Sequence, residues 1–218
     1  MIQLKKLDEP LVLKDKSNVW TREYLDAKAA NNMTDTIRYR YRHPEIKTRV
    51  REETSDKCAY CESKITHTYP GDIEHILPKA DFPELVVEWE NLTLGCGECN
   101  RRKSNYYSSE EPLINPYLDN PEKHLFAAGA FIFGKPGDSK GALAEFKLEL
   151  NRAELIERRF ERIKSLKNLA ERYANQIAGT LKDLLRKELI KELERDKEYA
   201  FISRAFLKVC CDISYNSN

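Results

Sequence analysis

Two pairs of cysteines in this sequence have the spacing of metal ligands. Each pair has the form Cys-x-x-Cys, and two such turns supply four thiolates, the ligand set of many tetrahedral zinc sites. A redox site would need only one pair. Disulfides are not expected, because the N-terminal residues lack an apolar signal region and indicate the cytoplasm. We therefore predict a structural zinc ion held by Cys58, Cys61, Cys96 and Cys99.

A carboxylate and an imidazole stand side by side between the two cysteine pairs. Glu74 can bind a hard cation such as Mg²⁺, and a neutral His75 can accept a proton from water. Asn100 directly follows Cys99, so the zinc would fix its position, and its amide oxygen is a candidate second ligand. Without this context a Glu–His pair is more often a surface pair. The neighbouring motifs favour a catalytic site that would stabilise charge on a phosphate.

The charges of the chain are small in sum but uneven. The 218 residues have a formal net charge of +1, which excludes a protein that coats DNA by general positive charge. Residues 36–57 are basic, residues 71–95 are acidic, and a second basic group follows the last zinc ligand. An acidic cluster near basic groups suits a metal-dependent enzyme acting on phosphate esters, although solvated surface charge is the common alternative. The second group provides candidate nucleic-acid contacts, namely Arg101, Arg102 and Lys103.

The sequence patterns divide the chain into four segments. Residues 1–35 are polar, residues 36–110 contain the cysteine pairs, residues 111–150 are rich in Pro and Gly, and residues 151–218 are helical. No run of 18 apolar residues occurs, so we expect no membrane span. Strands followed by a helical region predict an α+β protein.

Local signals in the second half predict a hairpin and three helices. Residues 131–133 and 144–150 flank a glycine-rich stretch and predict two paired strands. Apolar residues at three- and four-residue steps predict a long helix after Asn151, which forms a candidate cap with Glu154. Gly179 is expected to end that helix. The apolar stripes are core positions, or alternatively a surface for a partner.

Longer stretches of the chain resemble a known family. The sequences Cys-Ala-Tyr-Cys-Glu, Asp-Ile-Glu-His-Ile-Leu-Pro-Lys, Trp-Glu-Asn-Leu and Cys-Gly-Glu-Cys-Asn-Arg-Arg-Lys are similar to HNH endonucleases of the ββα-metal group. Arg-Tyr-Arg-His-Pro-Glu-Ile-Lys, which precedes them, and Leu-Asn-Arg-Ala-Glu-Leu, which follows, resemble the HNH proteins of the Septu and retron anti-phage systems. The resemblance covers residues 38–160. It implies a zinc-stabilised ββα-metal module with an α-helical C-terminal region.

The resemblance also implies roles for individual residues. His75 matches the general base, and Asn91 matches the central Asn that braces the loop and orients the base. Glu74 and Asn100 match the ligands of a catalytic Mg²⁺ or Mn²⁺, with Glu74 standing where many HNH enzymes have Asp. Glu62 and Asp72 are additional acids with candidate supporting roles. His67 is not expected to take part in catalysis.

Two functions of different classes remain open from the sequence. The first is an endonuclease that cleaves DNA as the effector of a Septu or retron defence system. The resemblance implies an ABC/SMC-type ATPase subunit as its partner, and in a retron also a reverse transcriptase and a noncoding RNA. The second is a zinc-stabilised nucleic-acid-binding module without catalysis, which would have no need of Glu74, His75 and Asn100 at these positions.

Overall fold

The computed structural model describes residues 1–65 and 71–215. His67 lies outside these residues. The described chain is a mixed α+β protein in which two small sheets are surrounded by helices. Its helices are α1 (Leu11–Ala29), α2 (Asp35–Arg38), α3 (Pro44–Thr54), α4 (Gly97–Lys103), α5 (Pro121–His124), α6 (Ser139–Lys147), α7 (Ala153–Ala174), α8 (Thr180–Lys191) and α9 (Ala200–Cys211). Its strands are β1 (Asp72–His75), β2 (Leu92–Gly95), β3 (Leu125–Ala128) and β4 (Phe131–Gly134). No helix within the described ranges is long and apolar enough to cross a bilayer.

A strand pair and a short helix form the middle of the fold. Strands β1 and β2 are antiparallel, with Glu74 opposite Thr93 and His75 opposite Leu92. Helix α4 begins two residues after β2, where the Cys96 sulfur accepts a hydrogen bond from the Cys99 amide at 3.4 Å and caps the helix. This β-β-α order agrees with the expected ββα-metal fold class and places both candidate catalytic segments on adjoining elements.

The second hairpin lies earlier in the chain than the sequence signal indicated. Strand β4 pairs with β3 across a tight turn at Gly129, whose φ is +61°. Residues 139–147, part of which we predicted as a strand, form α6 instead. Asp138 caps that helix by accepting a hydrogen bond from the Gly141 amide at 2.7 Å, a helix-start signal that outweighed the neighbouring glycines.

The predicted helices after residue 150 are present, but one cap differs. Helix α7 begins at Ala153 without a side-chain cap. Asn151 is used elsewhere: its side chain accepts a hydrogen bond from the Ile132 amide at 2.8 Å and donates one to the Ile132 carbonyl at 2.7 Å. Gly179, with a φ of +102°, separates α7 from α8 as predicted.

One core joins distant parts of the chain. Its buried residues come from the N-terminal segment, the cysteine turns, β1–β2, the second hairpin and the start of α9. A smaller cluster lies between α7, α8 and α9 around Leu166, Leu189 and Leu207. The end of the helical region therefore packs directly on the module that carries the cysteines.

Candidate active site

The two cysteine pairs meet in the folded chain. The four sulfur atoms lie within 4.8 Å of one another, and those of Cys61 and Cys96 are 3.8 Å apart. Tetrahedral zinc, with zinc–sulfur bonds of about 2.3 Å, holds its sulfurs about 3.8 Å apart. Hydrogen bonds among the thiols lower the pKa of Cys61 and Cys96, whereas burial raises the pKa of Cys58 and hydrogen bonds from the other thiols raise that of Cys99. Both the donor chemistry and the spacing fit a structural zinc ion.

An arginine that the sequence analysis did not assign lies beside these thiols. Nη2 of Arg152 is 3.7 Å from the sulfur of Cys99 and 3.9 Å from that of Cys96. A cation at this distance offsets part of the negative charge that four thiolates and one Zn²⁺ carry together. Arg152 belongs to the Leu-Asn-Arg segment that resembles the family. That resemblance was the one sequence signal that could have pointed to this residue.

Helix α4 connects the cysteine cluster to the acidic residues of β1. Asn100 and Lys103, three residues apart, lie on one face of the helix. The Lys103 ammonium is 2.9 Å from Oε1 of Glu74 and donates a hydrogen bond to the His75 carbonyl at 2.8 Å. Burial raises the pKa of the Glu74 carboxyl, and the charge of Lys103 opposes that effect. Lys103 thus fixes both neighbouring residues of the strand end.

Asp72, Glu74 and Asn100 lie close to Gly95 at the end of β2. Asp72 and Glu74 lie on the same face of β1, because side chains alternate along a strand. The Asn100 amide nitrogen donates to Oδ2 of Asp72 at 3.2 Å, so the amide oxygen of Asn100 stays available as an acceptor. A Cβ at Gly95 would lie 3.2 Å from Cβ of Glu74 and 3.9 Å from Cβ of Asn100, so the missing side chain leaves room between them. Carboxylate and amide oxygens around this space fit a hard divalent cation.

His75 is held in one orientation with one nitrogen available. Its Nε2–H donates to the Val86 carbonyl at 2.9 Å, which leaves Nδ1 unprotonated in the neutral ring. Tyr41 packs against the imidazole edge to face, with ring centroids 4.6 Å apart. Burial lowers the pKa of His75 to about 4, so the ring is neutral at physiological pH. A fixed, neutral imidazole is the form that a general base requires.

Asn91 braces the loop between β1 and β2. Its side-chain oxygen accepts from the Leu77 amide at 2.7 Å, and its side-chain nitrogen donates to the carbonyls of Leu77 at 3.0 Å and Leu85 at 3.3 Å. Its own carbonyl accepts from the Ile76 amide. The loop held in this way includes the stretch that leads to Val86, the hydrogen-bond partner of His75.

Sequence comparison assigns the chain to a family. A family model described as HNH endonuclease matches residues 58–106. The Septu protein PtuB of Bacillus thuringiensis is 31% identical over 189 residues, which cover 83% of this chain and 69% of that protein. The chain belongs to the Septu PtuB family. A second PtuB, from Bacillus mycoides (strain KBAB4), is 30% identical over 236 residues, covering 91% of this chain and 79% of the relative. Protein ea31 of Escherichia phage lambda is 33% identical over 91 residues, or 38% of this chain and 29% of that protein.

Membership of this PtuB family settles the class of the enzyme. HNH endonucleases are phosphodiester hydrolases, and the matched segment contains both cysteine pairs and the β1–β2–α4 unit. The predicted residues His75, Asn91, Glu74 and Asn100 all lie within this one unit.

Glu62 does not lie with these residues of the PtuB-family module. Its carboxylate is 3.0 Å from the Met1 nitrogen and accepts a hydrogen bond from the Phe201 amide at 3.3 Å. Its oxygens hold the turn after Cys61, and the geometry gives no support to the expected metal-binding or supporting catalytic role of Glu62. Asp72, in contrast, contacts Asn100 directly.

The three basic residues after Asn100 have different surroundings. Arg101 is exposed and pairs with Glu98 at 2.9 Å, whereas Arg102 pairs with Glu149 and Glu98. The Lys103 side chain is only 2% exposed and is engaged by Glu74. The expected nucleic-acid contact does not fit Lys103, because α4 turns its side chain toward β1. Of the three residues, Arg101 has the most exposed side chain.

Proposed function

We propose that this PtuB-family protein is a metal-dependent endonuclease that cleaves DNA as the effector of an anti-phage system. The observation that carries this proposal is the fixed, neutral imidazole of His75 at the end of the strand that also carries Glu74. A protein that only bound nucleic acid would not need a buried imidazole with a free Nδ1 next to a set of oxygen ligands.

The geometry supports a proposed role for each of these residues. Nδ1 of His75 accepts a proton from the water that attacks phosphorus, while the Val86 carbonyl holds the ring in place and stabilises the imidazolium that results. Glu74 and Asn100 are the residues that would hold Mg²⁺ or Mn²⁺. When bound, this metal supplies positive charge for the phosphate and for the departing 3′ oxygen. Asn91 keeps the loop closed so that the orientation of His75 is maintained.

The proposal includes an ATPase partner of the ABC/SMC type, as the resemblance implies. The modest net charge of +1 supports this idea, because a partner could supply much of the nucleic-acid-binding surface. A retron setting, with a reverse transcriptase and a noncoding RNA, is the alternative context. The neighbouring genes distinguish the two: an ATPase gene alone supports Septu, and a reverse transcriptase gene as well supports a retron.

Cleavage by a His75→Ala variant tests the mechanism. We expect the rate to fall by about 10²–10⁴-fold, the usual contribution of a positioned base, with zinc content and circular dichroism unchanged. His124→Ala is a matched control, because that imidazole pairs with Asp138 outside the β1–β2–α4 unit. The assay is run with Mg²⁺ and with Mn²⁺, and with the ATPase subunit present. Wild-type rates in folded His75→Ala protein would overturn the proposed mechanism.

Metal dependence tests the two ligands separately. Glu74→Gln and Asn100→Ala should raise the Mg²⁺ concentration needed for half-maximal cleavage, because each removes a ligand and leaves the base in place. His75→Ala should lower the rate at every metal concentration instead. Binding of DNA without cleavage by the wild-type complex under either metal would favour the binding module.

A further inference from the structure

A large groove lies beside the residues that contact β2. It has a volume of about 890 Å³ and is formed by the N-terminal residues 3–6, the stretch around Tyr117, strand β3 and helix α9. The catalytic residues do not line it. It nevertheless adjoins the β1–β2 strand pair. The Lys6 ammonium donates to the Leu92 carbonyl at 2.6 Å, and the hydroxyls of Tyr117 and Thr93 are 2.8 Å apart.

The lining of this groove is strongly basic. Six lysines and arginines and only two glutamates line it, in a chain whose formal net charge is +1. Lys6 is committed to Glu53 and Lys208 to Asp212. Lys5, Lys135 and Arg195 form no ion pair with any of the residues that the structure describes. These three charges are available to an anionic ligand.

Arg204 adds a rigid donor group to the wall of the groove. Its Nε donates to the Leu193 carbonyl at 3.0 Å, and its guanidinium lies 3.6 Å from the ring centroid of Tyr215. The Glu122 carboxylate is 3.6 Å from Nη1, which is too long for a good hydrogen bond, and Nη2 is without a hydrogen-bond partner within the described chain. Because Nη2 is itself buried, the guanidinium acts as a fixed positive charge in the wall of the groove, which would attract a phosphate.

Apolar surface is interleaved with these charges. Phe126 on β3 lines the groove with 39% of its surface exposed, and its ring packs against Phe133 with centroids 5.6 Å apart. Leu118, also in the lining, is 80% exposed. Exposed aromatic rings between positive charges are typical of surfaces that bind single-stranded nucleic acid, where bases stack on the rings and phosphates meet the cations.

We propose that this groove binds a single-stranded segment of the nucleic-acid substrate. This inference rests on the nuclease function proposed above and deepens it: the substrate class would be a nucleic acid with an unpaired stretch beside the cleaved bond. Lys5, Lys135, Arg195 and Arg204 contact phosphates, and Phe126 stacks on a base. Because Lys6 and Tyr117 contact β2, a strand in the groove would be held next to the hairpin that carries His75.

Oligonucleotide binding tests the groove independently of cleavage. The full chain carrying His75→Ala is mixed, without added Mg²⁺, with fluorescein-labelled 20-nucleotide strands of DNA or RNA and with a blunt DNA duplex of the same length. The groove variant adds Lys5→Glu, Lys135→Glu and Arg195→Glu. A matched control adds Lys164→Glu, Lys167→Glu and Lys187→Glu, which make the same charge change on exposed residues outside the groove.

We expect single strands to bind more tightly than the duplex. The groove variant should bind them at least about tenfold more weakly. The slope of log K against log salt concentration should become smaller by about two, since each of the three lost phosphate contacts contributes roughly 0.7 on a single strand. Phe126→Ala should weaken binding about tenfold without changing that slope. The control should stay within twofold of its parent. A preference for DNA or RNA in this series identifies which strand the groove takes.

Two results would overturn the proposal. One is a groove variant that binds single strands as tightly as the control variant does. The other is a groove variant that loses binding to a polyglutamate peptide while keeping oligonucleotide binding, which would indicate an acidic protein segment as the ligand. Cleavage by the His75-containing protein is measured in parallel. Groove binding without any cleavage would count against the nuclease mechanism alone, and cleavage with no groove effect would count against the groove alone.

Discussion

The ammonium of Lys103 lies 2.9 Å from a carboxylate oxygen of Glu74, and the two side chains are only 2% and 7% exposed. A buried ion pair of this kind contributes little net stability, but removing one partner leaves a charge without compensation in the interior. The pair therefore ties the conformation of α4 to that of β1, across the space where the metal is proposed to bind.

Substituting Lys103 should destabilise the fold more than an average mutation does. We expect Lys103→Met to lower the free energy of unfolding by about 3–5 kcal/mol, because Glu74 would be left buried and unpaired. Urea denaturation measures this. The double variant Glu74→Gln/Lys103→Met should regain much of the loss, since it removes both charges. A single variant within about 1 kcal/mol of wild type would show that the pair is not a structural link.

Loss of the Asn91 side chain should affect both folding and catalysis. Asn91→Ala removes three hydrogen bonds that hold residues 77–85, each worth about 1 kcal/mol. We expect stability to fall by a few kcal/mol and cleavage to fall by at least about tenfold, because Val86 would no longer fix the His75 ring. Cleavage and urea unfolding of the same preparation are compared. Full activity in the variant would argue against the bracing role.

Zinc should be required for folding. We predict one zinc ion per chain by metal analysis, and insoluble or unfolded protein for Cys96→Ser, because metal binding and folding are linked in such sites. Cys210→Ser is the matched control. Cys210 is exposed and lies outside the four-cysteine cluster, so this variant should keep its zinc and remain soluble. Folded wild-type protein that contains no zinc would contradict the prediction.

Local sequence signals identified the candidate site residues, and the structure brings most of them together. The doubled Cys-x-x-Cys spacing and the Glu-His pair are local signals, and the structure brings their segments together in one β-β-α unit. The positions of Glu62 and Lys103 depend on tertiary contacts. Glu62 is held by groups at Met1 and Phe201, and Lys103 is turned inward by α4, whose register depends on the cysteine cap. The spacing of residues along the chain does not indicate these tertiary contacts.

The β3–β4 hairpin shows a second reason why the sequence analysis misplaced an element. Gly134 and Gly141 read as parts of one long turn, but they let β4 and α6 approach closely. A Cβ at Gly134 would lie 2.4 Å from the Ala142 nitrogen, so this glycine is set by packing between elements. Both a tight turn and a close contact between elements require glycine, so the sequence alone does not distinguish them.

The outer apolar residues of α7 and α8 should contribute to docking of the proposed ATPase partner. Phe160, Leu181 and Leu184 are each at least half exposed, and Ile177 between the helices is 97% exposed. We expect Ile177→Asp/Leu181→Asp to reduce co-purification with the ATPase at least about tenfold while zinc content stays the same. Val19→Asp, at an exposed valine on α1, serves as the control. Normal co-purification of the double variant would rule out this surface. Point substitutions are needed here, since deleting residues 181–218 would also remove contacts to the core.

Those contacts have a consequence for how the protein is made. The Lys57 ammonium, just before the first predicted zinc ligand, donates to the carbonyls of Arg195 and Lys197. The hydroxyls of Ser63 and Tyr199 are 2.9 Å apart. Residues 136 to 140 positions later in the chain therefore hold this turn. At about 5–20 residues per second, the ribosome synthesises them roughly 10 to 30 seconds after the cysteine turn. A nascent chain therefore carries His75 and Asn100 long before their support is complete, and a prematurely terminated chain never acquires that support.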